Sequence, residues 1–305
     1  MIDISVKAGI AMQSTLLIIN PVSGRRKIKP LLYKVVDLLC QHGCKTTIFI
    51  TTGPLEATRI VKEYSHDFDR VICCGGDGTL NEIFTGLMET KSRLPVGYIP
   101  SGTTNDFANT LTLPKSIAKA ALVALEGQII DVDLGSFCTS KYFSYVASFG
   151  AFTNASYKTP QWLKNFLGRP SYFLYGVSSI IDIRPYEARI VADEREIEGE
   201  FIFGSVTNTT FLGGFKLFPV NFVGLDDGLF ELLLVRAPKS PKDMQAIVDN
   251  MLKRSYNDKQ VLLMKAKKIS FTFTGSVPWT VDGEFAGDVS SAVIENLNKA
   301  VQITV

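Results

Sequence analysis

Three short segments combine glycine, hydroxyl and carboxylate groups at spacings that suit phosphate chemistry. The first is Asn20-Pro21-Val22-Ser23-Gly24. Its small residues let backbone amides approach a phosphate, with a helix start behind them; an ordinary strand-to-helix turn reads the same way. The second is Gly75-Gly76-Asp77-Gly78-Thr79-Leu80-Asn81-Glu82. Glycines permit close approach of the backbone to a polyphosphate. A carboxylate in such a loop repels phosphate unless a cation lies between them, so Asp77 implies Mg2+. A tight turn with a solvated aspartate is the plainer alternative, but it leaves the surrounding glycines unexplained. The third is Pro100-Ser101-Gly102-Thr103-Thr104-Asn105-Asp106-Phe107. Its hydroxyls, Asn105 and Asp106 suit a ribose, a phosphate or the cap of a helix.

A fourth segment, Thr280-Val281-Asp282-Gly283-Glu284, places two carboxylates two residues apart. If the preceding β-like run Val277 to Val281 continued, both would share one face; Gly283 allows a turn instead. Two neighbouring carboxylates can divide work, one taking a proton while the other shifts or orients it. Standing alone, the pair reads as a DG turn closing a hairpin. Other candidates are weaker. Cys40, His42 and Cys44 lie close together but lack a second ligand pair for a metal. His42 and His66, the two histidines, sit where helices end and receive no catalytic role. Arg25, Arg26, Lys27 and Lys29 suit either phosphate or a solvated helix start. Trp162, Leu163, Phe166 and Leu167 recur at helical spacing near Lys158, Lys164 and Arg169, as on a buried helix face or one that touches a membrane.

These segments need a frame. Thr15 to Ile19 is a short apolar run ended by Asn20-Pro21, as in a buried strand entering a turn. Leu31, Leu32, Val35, Val36 and Leu39 follow at helical spacing, and Gly43 suits a C-cap. Lys45 to Ile50, Arg70 to Cys74 and Val96 to Ile99 read as strands, Leu55 to Tyr64 and Ser116 to Glu126 as helices. The rhythm predicts a parallel sheet covered by helices on both faces, and the three glycine loops follow its strand ends, where ligands gather. After about Asp133 short β-like runs dominate: Tyr142 to Ser148, Ala188 to Ala192, Glu200 to Thr207, Leu229 to Val235, Ile269 to Phe273 and Val277 to Val281. Helical patterns interrupt them near Tyr172 to Ile181 and Lys242 to Lys253. This half predicts a mostly antiparallel domain.

The chain has 305 residues, of which 46% are hydrophobic and 20% charged, with a net charge of +2. That length suits about two domains, and the charge gives no argument for nucleic acid. Cys40, Cys44, Cys73, Cys74 and Cys138 are odd in number and irregularly spaced, which argues against a disulfide framework and fits a reduced, cytoplasmic setting. No run approaches the roughly 18 apolar residues of a spanning helix. Met1 to Ser14 lacks the apolar core of a signal peptide.

Taken in order, the NPxSG, GGDGTLNE and SGTTNDF segments resemble the diacylglycerol kinase catalytic domain, shared by sphingosine kinases and soluble bacterial lipid kinases. Gly213-Gly214 with Phe218-Pro219, the turn Asp226-Asp227-Gly228-Leu229, and the Asp282-Gly283-Glu284 segment extend the resemblance over nearly the whole chain. It implies an α/β fold of two domains with the active site in the cleft between them. The first, residues 14–135, would be a Rossmann-like three-layer α/β nucleotide-binding domain, completed by 290–305; the second, 136–289, a mostly antiparallel β-sandwich that takes the lipid acceptor.

By the same resemblance, Asn20, Pro21, Val22, Ser23, Gly24, Thr51 (or Thr52), Gly76, Asp77, Gly78, Thr79, Leu80, Asn81, Glu82 and Thr103 occupy ATP-binding positions. Asp282 and Glu284 occupy those of the catalytic base and its neighbour, and Asp77 organises Mg2+. A structural Mg2+ would use the Asp227 carboxylate with the Gly224 and Leu229 carbonyls. Thr104 stands where many relatives have glycine. The implied reaction is ATP-dependent phosphorylation of a lipid hydroxyl, diacylglycerol to phosphatidic acid first, by a cytoplasmic protein that touches the inner face of the membrane peripherally. A homodimer stays open. An NAD kinase-like small-molecule kinase shares GGDGT, and a nucleotide-binding regulator without catalysis is the rival from another class.

Overall fold

The computed structural model describes residues 13–26, 32–150, 184–218, 222–256 and 259–305. The chain divides into two compact units, Met1–Asp131 with Val301–Val305, and Val132–Ala300.

The first unit is a three-layer, Rossmann-like α/β domain. Strands β1 (Gln13–Ile19), β2 (Cys44–Ile50), β3 (Arg70–Gly75) and β4 (Val96–Pro100) form a parallel sheet in the order β2-β1-β3-β4. Leu16 to Ile18 and Val71 to Cys74 are fully buried on both pleats, which is why they read as unbroken apolar runs. Helices α1 (Leu32–Gln41) and α5 (Ile117–Glu126) pack Val35, Leu39, Ala120, Ala121 and Ala124 onto Leu17, Ile19, Ile72, Cys74 and Ile99. The alanines bring α5 close to β4: a Cβ on Gly97 would lie 2.6 Å from that of Ala124. Helices α2 (Glu56–Tyr64) and α3 (Asp77–Thr90) pack on each other, with Gly86 pressed against Val61. A short helix, α4 (Asp106–Thr110), follows β4.

The second unit is an antiparallel β-sandwich. Its strands are β5 (Ile129–Phe137, which enters from the first unit), β6 (Lys141–Phe143), β7 (Val146–Gly150), β8 (Tyr186–Ala192), β9 (Arg195–Thr207), the small pair β10 (Phe211–Leu212) and β11 (Phe215–Lys216), then β12 (Phe230–Arg236), β13 (Val261–Ala266), β14 (Lys268–Val281) and β15 (Glu284–Thr304). The order is β13-β12-β9-β7-β14-β15, and β8 pairs with both β9 and β14. Strands β9 and β14 therefore each serve three partners along their length, β12, β7 and β8 for β9 and β15, β7 and β8 for β14, turning the corner between the layers. Phe149, Phe201, Phe271, Phe273 and Trp279 fill the interior, with the Phe149 ring 5.1 Å from Trp279. Helix α6 (Pro241–Lys253) starts with Pro241 behind the N-cap Ser240, whose side chain accepts from the Asp243 amide.

Several elements differ from the sequence pattern. Ile269 to Phe273 and Val277 to Val281 belong to one strand, β14, whose register with β15 shifts between Thr272 and Val277. Tyr142 to Ser148 is broken into β6 and β7 at Ser144-Tyr145, whose amides turn toward Asp282. Residues 290–300 stay with the second unit because β15 pairs with β14 as far as Glu295. Its last residues, Ile303 and Thr304, run parallel beside Val96 and Gly97 of β4. The Trp162 to Leu167 and Tyr172 to Ile181 patterns, Lys27, Lys29 and Pro219 lie outside the described residues.

Candidate active site

The three glycine loops of the first unit leave neighbouring parallel strands and converge. The ladder continues past the strand ends, with Asn20 N–H donating to the Cys74 carbonyl at 2.9 Å and Ser101 N–H to that of Gly75 at 2.7 Å. Gly24 has φ +50, and a Cβ there would lie 1.7 Å from the Ser101 carbonyl oxygen. A Cβ on Gly102 would lie 2.8 Å from Gly76 Cα. Only glycine permits backbones this close. Asn20 Nδ2 donates to Thr79 Oγ1 at 3.0 Å, and Asn20 Oδ1 accepts from the Val22 amide. The 14-residue helix α3 begins at Asp77 behind this junction. The N-terminus of this helix, with its dipole, favours an anion there.

Two carboxylates stand at the same junction. Asp77 is 7% exposed and Asp106 2%. Asp77 Oδ2 accepts from the Asp106 amide at 2.7 Å, and Oδ1 from the Tyr98 hydroxyl at 3.2 Å. Asp77 therefore caps the start of α4 as well as facing the glycine loop. Asp106, legible in the sequence only as one polar group of the third loop, becomes its neighbour. Asn105 takes the left-handed conformation, φ +51, and holds the Gly102 carbonyl through Nδ2. Thr104 is not among the positive-φ residues, so its side chain brings no backbone strain.

The remaining residues of the first-unit set fall into different surroundings. Val22 and Thr103 are exposed, and Leu80 is fully buried in the core, so only its backbone could face a ligand. Thr51 is buried with its amide and hydroxyl on the Ile19 carbonyl, whereas Thr52 is exposed with both groups on Glu56. Glu82 accepts from the amides of Leu55 at 2.9 Å and Ala57 at 3.0 Å. It buttresses the start of α2 and the loop that carries Thr51.

In the second unit Asp282 and Gly283 form the β14–β15 turn, with φ +47 and +83, the left-handed pair of a two-residue hairpin. The turn separates the two carboxylates. Asp282 points inward and accepts from the Ser144 amide (2.8 Å) and hydroxyl (2.9 Å) and from the amides of Tyr145 (3.1 Å) and Val146 (3.0 Å). Burial pushes its carboxyl up to about 6, and these donors pull against that rise. Glu284 is exposed.

A residue the sequence reading passed over organises the other motif. Asp133, fully buried on β5, accepts from Gly228 N–H (2.7 Å), Asn296 Nδ2 (3.2 Å), Asn298 Nδ2 (2.9 Å) and Lys299 N–H (2.7 Å). An aspartate inside the apolar run Val132 to Leu134 was the available signal.

The Asp227 turn does not suit the divalent ion expected of it. Asp227 Oδ1 accepts from the Leu229 amide at 3.0 Å, and Oδ2 is taken by Lys265 Nζ at 2.6 Å. The carboxylate folds over Gly224, where a Cβ would lie 2.4 Å from Oδ2. Among the described residues no group of three or more His, Cys, Asp or Glu could hold a metal.

Comparison with known proteins gives concordant results. Residues 14–137 match the family model of the diacylglycerol kinase catalytic domain, and 146–305 that of the YegS C-terminal NAD kinase beta sandwich-like domain. A diacylglycerol kinase of Bacillus subtilis (strain 168) is 34% identical over 90% of this chain and 91% of its own length. One from Staphylococcus carnosus (strain TM300) is 32% identical over 94% and 93%. A solved diacylglycerol kinase structure from Bacillus anthracis str. Sterne is 25% identical, with TM-score 0.76 over 97% of this chain and 98% of that one.

Proposed function

The chain belongs to the diacylglycerol kinase family, a family of lipid kinases, and we propose that it transfers the γ-phosphoryl group of ATP to a lipid hydroxyl, with diacylglycerol as acceptor and phosphatidic acid as product. The observation that carries this reading is the convergence of three glycine loops on the N-terminus of α3, beside two buried carboxylates. Backbone amides from the NPVSG and GGDGT segments hold the phosphates, and Thr51 and Thr103 stand at the margins of the same loops.

Asp77 and Asp106 suit Mg2+, which is commonly held by one or two carboxylates together with the phosphates of its nucleotide. When bound, the ion supplies neutralisation of the β- and γ-phosphate charge. In the transfer the lipid oxygen bonds to the γ-phosphorus, the bond from that phosphorus to the β–γ bridging oxygen breaks, and ADP leaves. Catalysis of this type rests on positioning and charge stabilisation.

The hydroxyl proton needs an acceptor. Asp282 already receives four hydrogen bonds, which fill the acceptor sites of a carboxylate. Glu284 is open to solvent. This division supports Glu284 as the proton acceptor, with Asp282 fixing the turn that presents it. No helix among the described residues is long and apolar enough to cross a membrane, and the proposed lipid access is peripheral, at the inner membrane face.

The name of the C-terminal family model keeps one second reading in view, an NAD kinase-like activity. ADP release measured separately with diacylglycerol, phosphatidylglycerol, a sphingoid base and NAD tests both. Diacylglycerol is expected to give the largest stimulation. Stimulation by NAD alone would replace the lipid reading, and none with any acceptor would favour a regulator without catalysis.

A further inference from the structure

The Asp227 turn contains a cation of its own. Lys265 lies directly opposite Glu231 on the β12–β13 ladder, so the sheet fixes where its side chain begins. Its ammonium is 2.6 Å from Asp227 Oδ2 and 3.7 Å from Glu231 Oε1. The Phe222 ring lies on another side, its centroid 5.5 Å away. Glu231 is fully buried, and neither of its carboxyl oxygens has a hydrogen-bond partner. Two acidic side chains and an aromatic face thus surround one half-buried ammonium.

We infer that the Lys265 ammonium is the resident cation of the Asp226-Asp227-Gly228 turn in this chain, in place of the structural divalent ion that the motif implies at Gly224, Asp227 and Leu229. Asp227 differs from Asp77 in that one of its oxygens is held by a cation: Oδ2 by the Lys265 ammonium, while Oδ1 accepts from the Leu229 amide. A divalent ion would have to displace the ammonium or lie beside it, and like charges at such range repel strongly in a partly buried site. Mg2+ also gives up its hydration reluctantly and gains little from a single carboxylate already paired with an ammonium, with no nucleotide phosphate beside it. A lysine tethered to β13 meets neither obstacle.

Removing the ammonium should expose what it replaces. Without it, Asp227 and Glu231 form a pair of carboxylates beside backbone carbonyls, a set of hard oxygen donors that divalent ions accept. The test is thermal unfolding of the nucleotide-free protein in EDTA and in millimolar Mg2+ or Ca2+. It reads stability without turnover, so its failure is separable from failure of the kinase reading.

For the native chain, the Tm is expected to show no metal response that Asp227→Asn removes. Lys265→Met should melt about 5 °C lower in EDTA, because the Asp227 carboxylate loses its paired cation, and metal should restore part of the loss. Asp227→Asn in that background should abolish the restoration. If Lys265→Met does not fold without metal, its recovery with metal during refolding supports the same conclusion, and Lys265→Arg should stay insensitive to EDTA. A native chain stabilised by Mg2+ through Asp227 would overturn the inference, as would a Lys265→Met protein equally stable in EDTA and unresponsive to metal.

Discussion

Asp77, Asp133 and Asp282 are buried carboxylates, each held by backbone amides from a distant part of the chain. Their roles separate under mutation. Asp77→Asn keeps an oxygen for the Asp106 amide, and the Tyr98 hydroxyl can turn to accept from the new NH2, so the fold should persist. Removing the charge should lower lipid phosphorylation at least about 100-fold, the scale of losing a catalytic electrostatic contact; near-normal initial rates at saturating Mg2+ would remove Asp77 from ion binding. Asp282→Asn differs, because its NH2 must face two of the four donors, at least one of them a backbone amide, in a closed site. It should cost about 1–3 kcal/mol of stability and most of the activity, while calorimetry finds nucleotide affinity nearly unchanged. Glu284→Gln should lose turnover with the wild-type stability retained. The raised Asp282 carboxyl also sets a pH dependence. Between the ordinary 3.8 and about 6 the folded state holds the proton more tightly than the unfolded chain, so stability falls as pH rises through that window. Ser144→Ala removes one lowering donor and should extend the decline to higher pH in denaturant titrations. Asp77, Asp282 and Glu284 were legible because short motifs carry them. Asp133 was not, since its partners Gly228, Asn296, Asn298 and Lys299 lie about a hundred residues or more further on and no local pattern joins them.

At the scale of elements, the glycine loops were legible for the same reason that they work. Close backbone approach excludes a Cβ, and that exclusion is written in the sequence as glycine. Gly24→Ala would place a Cβ against the Ser101 carbonyl and strain a left-handed position, so the loops must part. ATP affinity should fall at least about tenfold by calorimetry, with circular dichroism unchanged. The strands β1 and β3 were legible because burial on both faces leaves no polar alternation. The joining of two apparent runs into β14 was not. Thr274 to Ser276 between them looks like a turn, and only the shifted pairing with β15 keeps the strand continuous. Glu82 shows the limit of a motif read alone: the segment that names it as nucleotide-binding also places it where it caps α2.

For the whole molecule, the two-domain plan followed from a change of rhythm near residue 135, where helices give way to antiparallel strands. The return of β15 to pair with β4 was partly legible, because the resemblance completes the first domain with 290–305, although only the last residues of that range pair there. If access to lipid is peripheral, the protein should sediment with anionic vesicles and be released by salt, without detergent; recovery only in detergent extracts would contradict that access. The central claim is tested most directly by supplying ATP labelled at the γ-phosphate to the purified chain with diacylglycerol in mixed micelles. Labelled phosphatidic acid should accumulate in proportion to enzyme, and Asp77→Asn protein of equal stability should form almost none. Unlabelled lipid in every reaction, with label appearing instead in inorganic phosphate or NADP, would contradict it.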